Sequence, residues 1–438
     1  MAFITIFFVI IFIGGISAAL IVDGAWAFYL YQMIYFMNPG DRWWGSQIPA
    51  LAYSFLAAAT LCFSLYWRRK ATSPAPKLID QPISKWVIGI LFMYLFMFIF
   101  AVDSASHKQS TIEFAKLAIV IGVAYKLIIT EKKLRFALWA YIIGATYVGY
   151  VAFGIGRSRG LRLEGIGTVD APDSNGLAAA IAPAVALLVY YAWLGNKYIK
   201  AVSAVCAVLI INAIVLLNSR GAFLGIVVGA SLFVFSMLLS RHQRPKQRFM
   251  AVLIVVVGTS GAISLGDSYF WERMSTIQEY DDGEKSGSHR VEFWLATFDM
   301  MEDYPMGLGV RGYNRVSRYY LDPVKYGNKN KSVHSSWFQS LYELGWPGPI
   351  LFIGMLLCCY RVSKRAKNYL AENEKIEEYF LLIAIESSIL IFIVSGTFIN
   401  RFRAEILYWL ILFLACAVNV FYLSRTNSSS AVKLQNDT

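Results

Sequence analysis

Apolar runs of about twenty residues recur along the chain, separated by short polar stretches. That pattern leaves few folds open. A buried apolar segment in a lipid bilayer must satisfy its own backbone hydrogen bonds, which favours helices. Charged residues make up 16% of the chain and mean hydropathy is +0.52, whereas a soluble domain is about one quarter charged. The expected fold is an all-α polytopic membrane protein with about 12 transmembrane helices and a large helical periplasmic loop. The first span is the apolar N-terminus, which lacks the basic start of a cleaved signal. Others are expected at about 47–66, 86–102, 111–130, 136–155, 174–195, 201–218, 221–240, 249–265, 345–360, 379–398 and 404–424. Residues 24–37 are rich in aromatics, and whether they cross is left open.

Loop charge orients these spans. The segments at 67–85, 131–135, 196–200, 241–248 and 361–367 are basic and stand two spans apart, so one face carries all of them. The positive-inside rule makes that face cytoplasmic. Both termini are then cytoplasmic if residues 24–37 do not cross. The formal net charge of +12 is explained by these loops, and nucleic acid is not expected as a partner. The five cysteines all lie in apolar runs, with neither metal-site spacing nor a disulfide framework. Four parts are expected: an N-terminal bundle (1–265), a periplasmic loop (266–344), C-terminal transmembrane helices (345–424) and a disordered cytoplasmic tail (425–438).

The outer face receives 103–110, 156–173, 218–220, 266–344 and 398–403. Arginine is disfavoured there, yet Arg157, Arg159, Arg162, Arg220, Arg290, Arg311, Arg315, Arg318, Arg401 and Arg403 all fall on it. An anionic ligand at the interface is one reason. Arg220 sits in a minimal turn between two spans, as a phosphate ligand or as a residue snorkelling to the interface. Arg290 and Trp294 are helical neighbours; Arg290 is either a phosphate contact or a surface arginine beside Glu292. His334 precedes an apolar segment and is either a general base or a helix-start histidine, with Ser335 and Ser336 as caps or ligands. Gly307, Gly309 and Gly312 form a tight loop around Arg311. Asp170, Asp173 and Asn175 either cap the following span or line a polar cavity. Asp281–Asp282 is a weak acidic pair, and no metal is expected. A Walker motif is absent.

NSRGAFLG (218–225), RVEFW (290–294), DYPMGLGVRGYN (303–314) and HSSWFQSLYELGWPG (334–348) together resemble the O-antigen ligase and polymerase superfamily. DSNGLAAA (173–180) is similar to a family element, with Ser174 where proline is usual, and 272–287 resembles O-glycosylation ligases of the same superfamily. The resemblance implies a metal-independent, inverting, GT-C-like glycosyltransferase without a cofactor, in the bacterial inner membrane. It implies a glycan donor on undecaprenyl pyrophosphate at the periplasmic face and a lipid A-core sugar or other hydroxyl as acceptor, among membrane lipids. By residue-level carry-over, Arg220 and Arg290 bind pyrophosphate and His334 is the essential histidine. Arg311, Arg157, Arg159, Arg162, Asn175, Trp294 and Ser335 are expected to contact phosphate or acceptor, or to support the site. A polymerase, a protein O-glycosylation ligase and a lipid-linked glycan transporter are the competing expectations.

Overall fold

The computed structural model describes residues 3–67, 77–157, 162–242, 247–275, 288–327 and 329–426. Arg159, Asp281–Asp282, parts of two basic loops and the tail from 427 lie outside the described residues. Those described are helical, with no strand among them. The order begins α1 (Phe3–Ile21), α2 (Ala25–Met37), α3 (Tyr53–Trp67), α4 (Ser84–Phe96), α5 (Ser104–Leu127) and α6 (Glu131–Ile155). It continues with α7 (Ser174–Ile181), α8 (Ala184–Leu194), α9 (Lys197–Leu217), α10 (Arg220–Leu239) and α11 (Gln247–Leu265). Short helices follow: α12 (Ser268–Ser275), α13 (Ser288–Asp303), α14 (Gly312–Val316), α15 (Pro323–Tyr326) and α16 (Ser336–Leu344). The chain closes with α17 (Pro347–Glu372), α18 (Ile376–Gly396) and α19 (Glu405–Val418).

Eight of the described helical segments are long and apolar enough to cross a membrane: α1, α6, α7 with α8, α9, α10, α11, α18 and α19 with its continuation. The expectation of about twelve included four more stretches, and each is helical. By length and composition they differ from the eight: α3 and α4 are short, while α5 and α17 carry several charges. Pro183 divides α7 from α8 because it cannot donate to the preceding turn. Ser388 of α18 donates to the Pro183 carbonyl at 2.8 Å, satisfying an acceptor that lipid could not.

The 24–37 segment is an interior helix. Nearly every residue of α2 is buried. Its start lies beside Lys133, which pairs with Asp23 at 2.7 Å. At its other end Arg42 donates to Ile166 O (2.9 Å) and Met37 O (3.2 Å), capping the last turn with a cation. Glu131 opens α6 and Arg157 follows it, so α2 runs from one end of the bundle to the other. Thr5 donates to Gln47 at 3.0 Å, which puts the start of α1 at the Ile166 end. The condition on which both termini were expected at one end, that residues 24–37 do not cross, is therefore not met: α1 starts at the end of the bundle opposite to where α19 finishes.

Helices α10 and α18 pack at close range. Gly221, Gly225 and Gly229 repeat every four residues on one face of α10. A Cβ at Gly225 would lie 2.5 Å from Ile391 O, and one at Gly229 would lie 2.7 Å from Ser387 O. Small residues at this spacing let two backbones meet where apolar burial gives no drive for association. The pairing also fixes Arg220, the first residue of α10. Gly225→Leu is expected to destabilise the protein by about 1–3 kcal/mol through overpacking, read as a lower melting temperature in detergent.

Segment 288–344 has its own small core, with Phe293, Met300, Tyr313, Leu341 and Tyr342 buried together. It is fastened to the α4–α5 turn. Val102 N donates to Leu308 O at 3.0 Å, and Arg315 pairs with Asp103 at 2.7 Å. Val310 N donates to Nδ1 of buried His107 at 3.2 Å, while Nε2 of His107 contacts Tyr94 O at 2.8 Å. An acceptor role for Nδ1 requires Nε2 to be the donor. This segment therefore sits at the end of the bundle that holds Arg157 and Ile166.

Candidate functional site

Many of the arginines expected on the outer face are spoken for by the fold itself. Arg157 pairs with Asp267 (2.9 Å), Arg315 with Asp103 (2.7 Å), Arg401 with Asp173 (2.7 Å) and Arg403 with the buried Glu343 (3.1 Å). For these four, the expected explanation by an external anion is not needed; Arg157 also donates to Val215 O at 2.9 Å and acts as a fastener. Arg318 is exposed and lies over the Tyr319 ring. Arg311 is exposed at φ 59°, a left-handed conformation uncommon outside glycine.

Arg162, Arg220, Arg273 and Arg290 stand apart in another respect: each acts electrostatically on at least one of the others. Arg290, in the first turn of α13, is half-buried, with its guanidinium 6.0 Å from the Phe398 ring centre. Burial lowers its pKa, and the charge of Arg220 lowers it further. Glu292, the sequence neighbour that could have paired with it, is engaged by Lys325 and Tyr326 instead. For Arg273 burial again comes first, followed by the charges of Arg162, Arg220 and Arg290. Arg162 is lowered by burial, with Glu164 and Asp173 opposing and Arg220 adding to the shift. These mutual influences group the four as neighbours. The cluster draws on the 162–173 loop, α10, α12 and α13.

Each member is positioned by nearby structure. Arg220 follows Asn218 at φ 50° and the N-cap Ser219, so it stands at a helix N-terminus, itself a positive end. Arg162 donates to Leu217 O (3.1 Å) and to Asn175 Oδ1 (2.7 Å). Asn175 thus orients an arginine of the cluster. Asp173 caps α7 by accepting from Gly176 N at 2.9 Å. Phe270 and Met274 of α12 bury against Val215 and Phe223, which brings Arg273 towards the start of α10. Sequence reasoning passed over Arg273; its one signal was a basic residue in the 266–344 segment between apolar faces.

His334 joins the cluster from the segment before α16. Burial lowers its pKa, Arg290 lowers it further, and Asp173 opposes the shift. The residue as a whole is exposed, which bounds the burial contribution. His334 adopts φ 50°, and the flanking chain holds it there. Trp294 Nε1 donates to Val333 O at 3.1 Å, and the indole stacks on Phe338 with centroids 5.5 Å apart. Ser335 N donates to Asn400 Oδ1 at 2.9 Å, and Asn400 donates to Ser332 at 2.7 Å. Ser335 holds the N-cap position of α16 without a side-chain capping bond, and its hydroxyl is buried inside the fold with no hydrogen-bond partner among the described residues. Trp294→Phe keeps the ring stacking and removes the bond to Val333. It is expected to cost about 1 kcal/mol of stability and to lower activity through His334, measured as melting temperature beside initial rate.

Guanidinium groups match phosphate oxygens bidentately, and a half-buried cluster of them favours a multiply charged anion. A neutral imidazole can accept a proton from a hydroxyl. Among the described residues no group of three or more His, Cys, Asp or Glu side chains comes together.

A family model described as O-Antigen ligase matches residues 204–353. The match contains Arg220, Arg273, Arg290, Trp294, Arg311, His334 and Ser335; Arg157, Arg162 and Asn175 precede it. No curated protein matches the chain. The match covers about a third of the chain, and in residues 204–353 the chain is similar to the O-antigen ligase family.

Proposed function

We propose that the protein moves a glycan from undecaprenyl pyrophosphate to a hydroxyl of a lipid A-core sugar, at the periplasmic face of a bacterial inner membrane. The observation that carries this reading is the grouping of Arg162, Arg220, Arg273 and Arg290, with His334 beside Arg290, at one end of an apolar helical bundle. The acceptor oxygen attacks the anomeric carbon as the bond from that carbon to the pyrophosphate oxygen breaks. One displacement inverts the centre. The hydroxyl proton passes to His334, whose depressed pKa leaves the ring neutral and able to accept it. The arginines neutralise charge as it builds on the leaving pyrophosphate, a preorganised electrostatic contribution. The basic loops would face the cytoplasm, opposite the cluster.

A polymerase would use the same donor chemistry, and the superfamily includes both. The separating experiment uses a strain lacking the protein, with its lipopolysaccharide run on a gel and its undecaprenyl-linked glycans extracted. Bare core with full-length polymer stranded on the carrier is the expected result. Core bearing one repeat unit would assign polymerisation. An unchanged gel would overturn the lipid A-core acceptor.

A further inference from the structure

We propose that the groove between α4, α5 and α19, remote from the arginine cluster, is a binding site for an anionic glycerophospholipid. The groove holds a cavity of about 100 Å³ and is open along one side. Leu78, Val87, Leu91, Ile121, Ile411 and Leu412 give it an apolar wall. A Cβ at Gly122 would meet only Leu78, at 3.5 Å, so the floor there is bare.

The position of the groove follows from the fold. The far end of α4 leads to Val102, which bonds to Leu308 beside the arginine cluster. Leu78, Gln81 and Ser84 therefore mark the opposite end of the bundle. Charge gathers there. Lys77 precedes Leu78, Lys85 follows Ser84 and Lys126 follows Tyr125; the first two are exposed and the third is half-exposed. Asp80, also exposed, is the acidic residue of that stretch. The lysines outnumber it, and basic residues flanking a pocket between membrane helices attract anionic headgroups.

A polar group waits inside. Gln81 is 2% exposed and lines the groove. Its Nε2 donates to Ala415 O at 3.0 Å, while its Oε1 is buried without a hydrogen-bond partner. Buried polar atoms are seldom left so, and a headgroup hydroxyl would satisfy it. An apolar trough, a basic mouth and an unfilled acceptor fit phosphatidylglycerol better than a zwitterionic lipid. The assignment does not depend on the transfer reaction.

The test is native mass spectrometry of the full chain, delipidated and offered phosphatidylglycerol and phosphatidylcholine at equal concentration. Wild type is expected to retain phosphatidylglycerol by about tenfold or more over phosphatidylcholine. The double variant Lys77→Gln, Lys85→Gln is expected to bring the two within about twofold. Gly122→Leu, which fills the floor, is expected to reduce both; should it fail to fold, the lysine variant carries the test alone. Equal retention by wild type would overturn the site, as would an undiminished preference in the lysine variant. A polyprenyl phosphate that displaces phosphatidylglycerol at equal concentration would assign the groove to the donor's lipid class and overturn the proposal as well.

Discussion

Arg290→Ala is expected to lower glycan transfer by about 10²–10³-fold, the usual cost of removing one preorganised donor from a developing anion. The reasoning starts from what acts on Arg290. Burial and Arg220 both oppose its charge, and Glu292 is turned towards Lys325 and Tyr326. A guanidinium kept charged against these influences gains most when a dianionic leaving group forms beside it. Arg290→Lys retains a charge but loses the bidentate fork, so an intermediate rate is expected. Arg318→Ala serves as the contrast, because Arg318 is exposed and, among the described residues, its side chain is seen against Tyr319; its loss should change the rate less than about twofold. The measurement is initial rate with purified protein and a lipid-linked donor, with melting temperature in parallel. Similar losses in Arg290→Ala and Arg318→Ala would mean that bulk positive charge, and not the cluster, drives the reaction. A loss under about fivefold in Arg290→Ala would remove the residue from the mechanism.

The parts of this site differ in how far the sequence reveals them. Arg220 and His334 were visible because each interrupts a predictable context: an arginine in a turn too short to hold it in water, and a rare histidine at the edge of an apolar segment. The partners of the other arginines were not visible. Arg403 finds Glu343 sixty residues away and Arg315 finds Asp103 across 212, and no local pattern announces such pairs. Arg273 was hidden for the same reason, since its significance comes from Arg162, Arg220 and Arg290 in other segments. The course of α2 was also beyond a hydropathy reading. An aromatic helix of 13 residues looks interfacial by length; only Lys133 at one end and Ile166 at the other show that it traverses the bundle.

His334→Gln should reduce transfer by about 10²–10⁴-fold, the range of a positioned general base. The pH profile separates this role from a structural one. Burial and Arg290 both disfavour the imidazolium, so the folded pKa lies below the ordinary histidine value of about 6.5. The neutral ring is the active form. Rate should therefore stay level through neutrality and fall on acidification through that lower pKa. Stability has the same sign: the unfolded chain takes up this proton first, so acidification below about 6.5 weakens the fold. Two neighbours move the acid limb in opposite directions. Asp173 favours the imidazolium, so Asp173→Asn, which can still cap α7, should shift the limb to lower pH. Arg290→Gln removes a repelling charge and should shift it to higher pH, even as the rate drops. A histidine that only caps or packs would show neither displacement. If both variants keep the wild-type limb, or if His334→Gln stays within about tenfold of wild type, proton transfer belongs to another group.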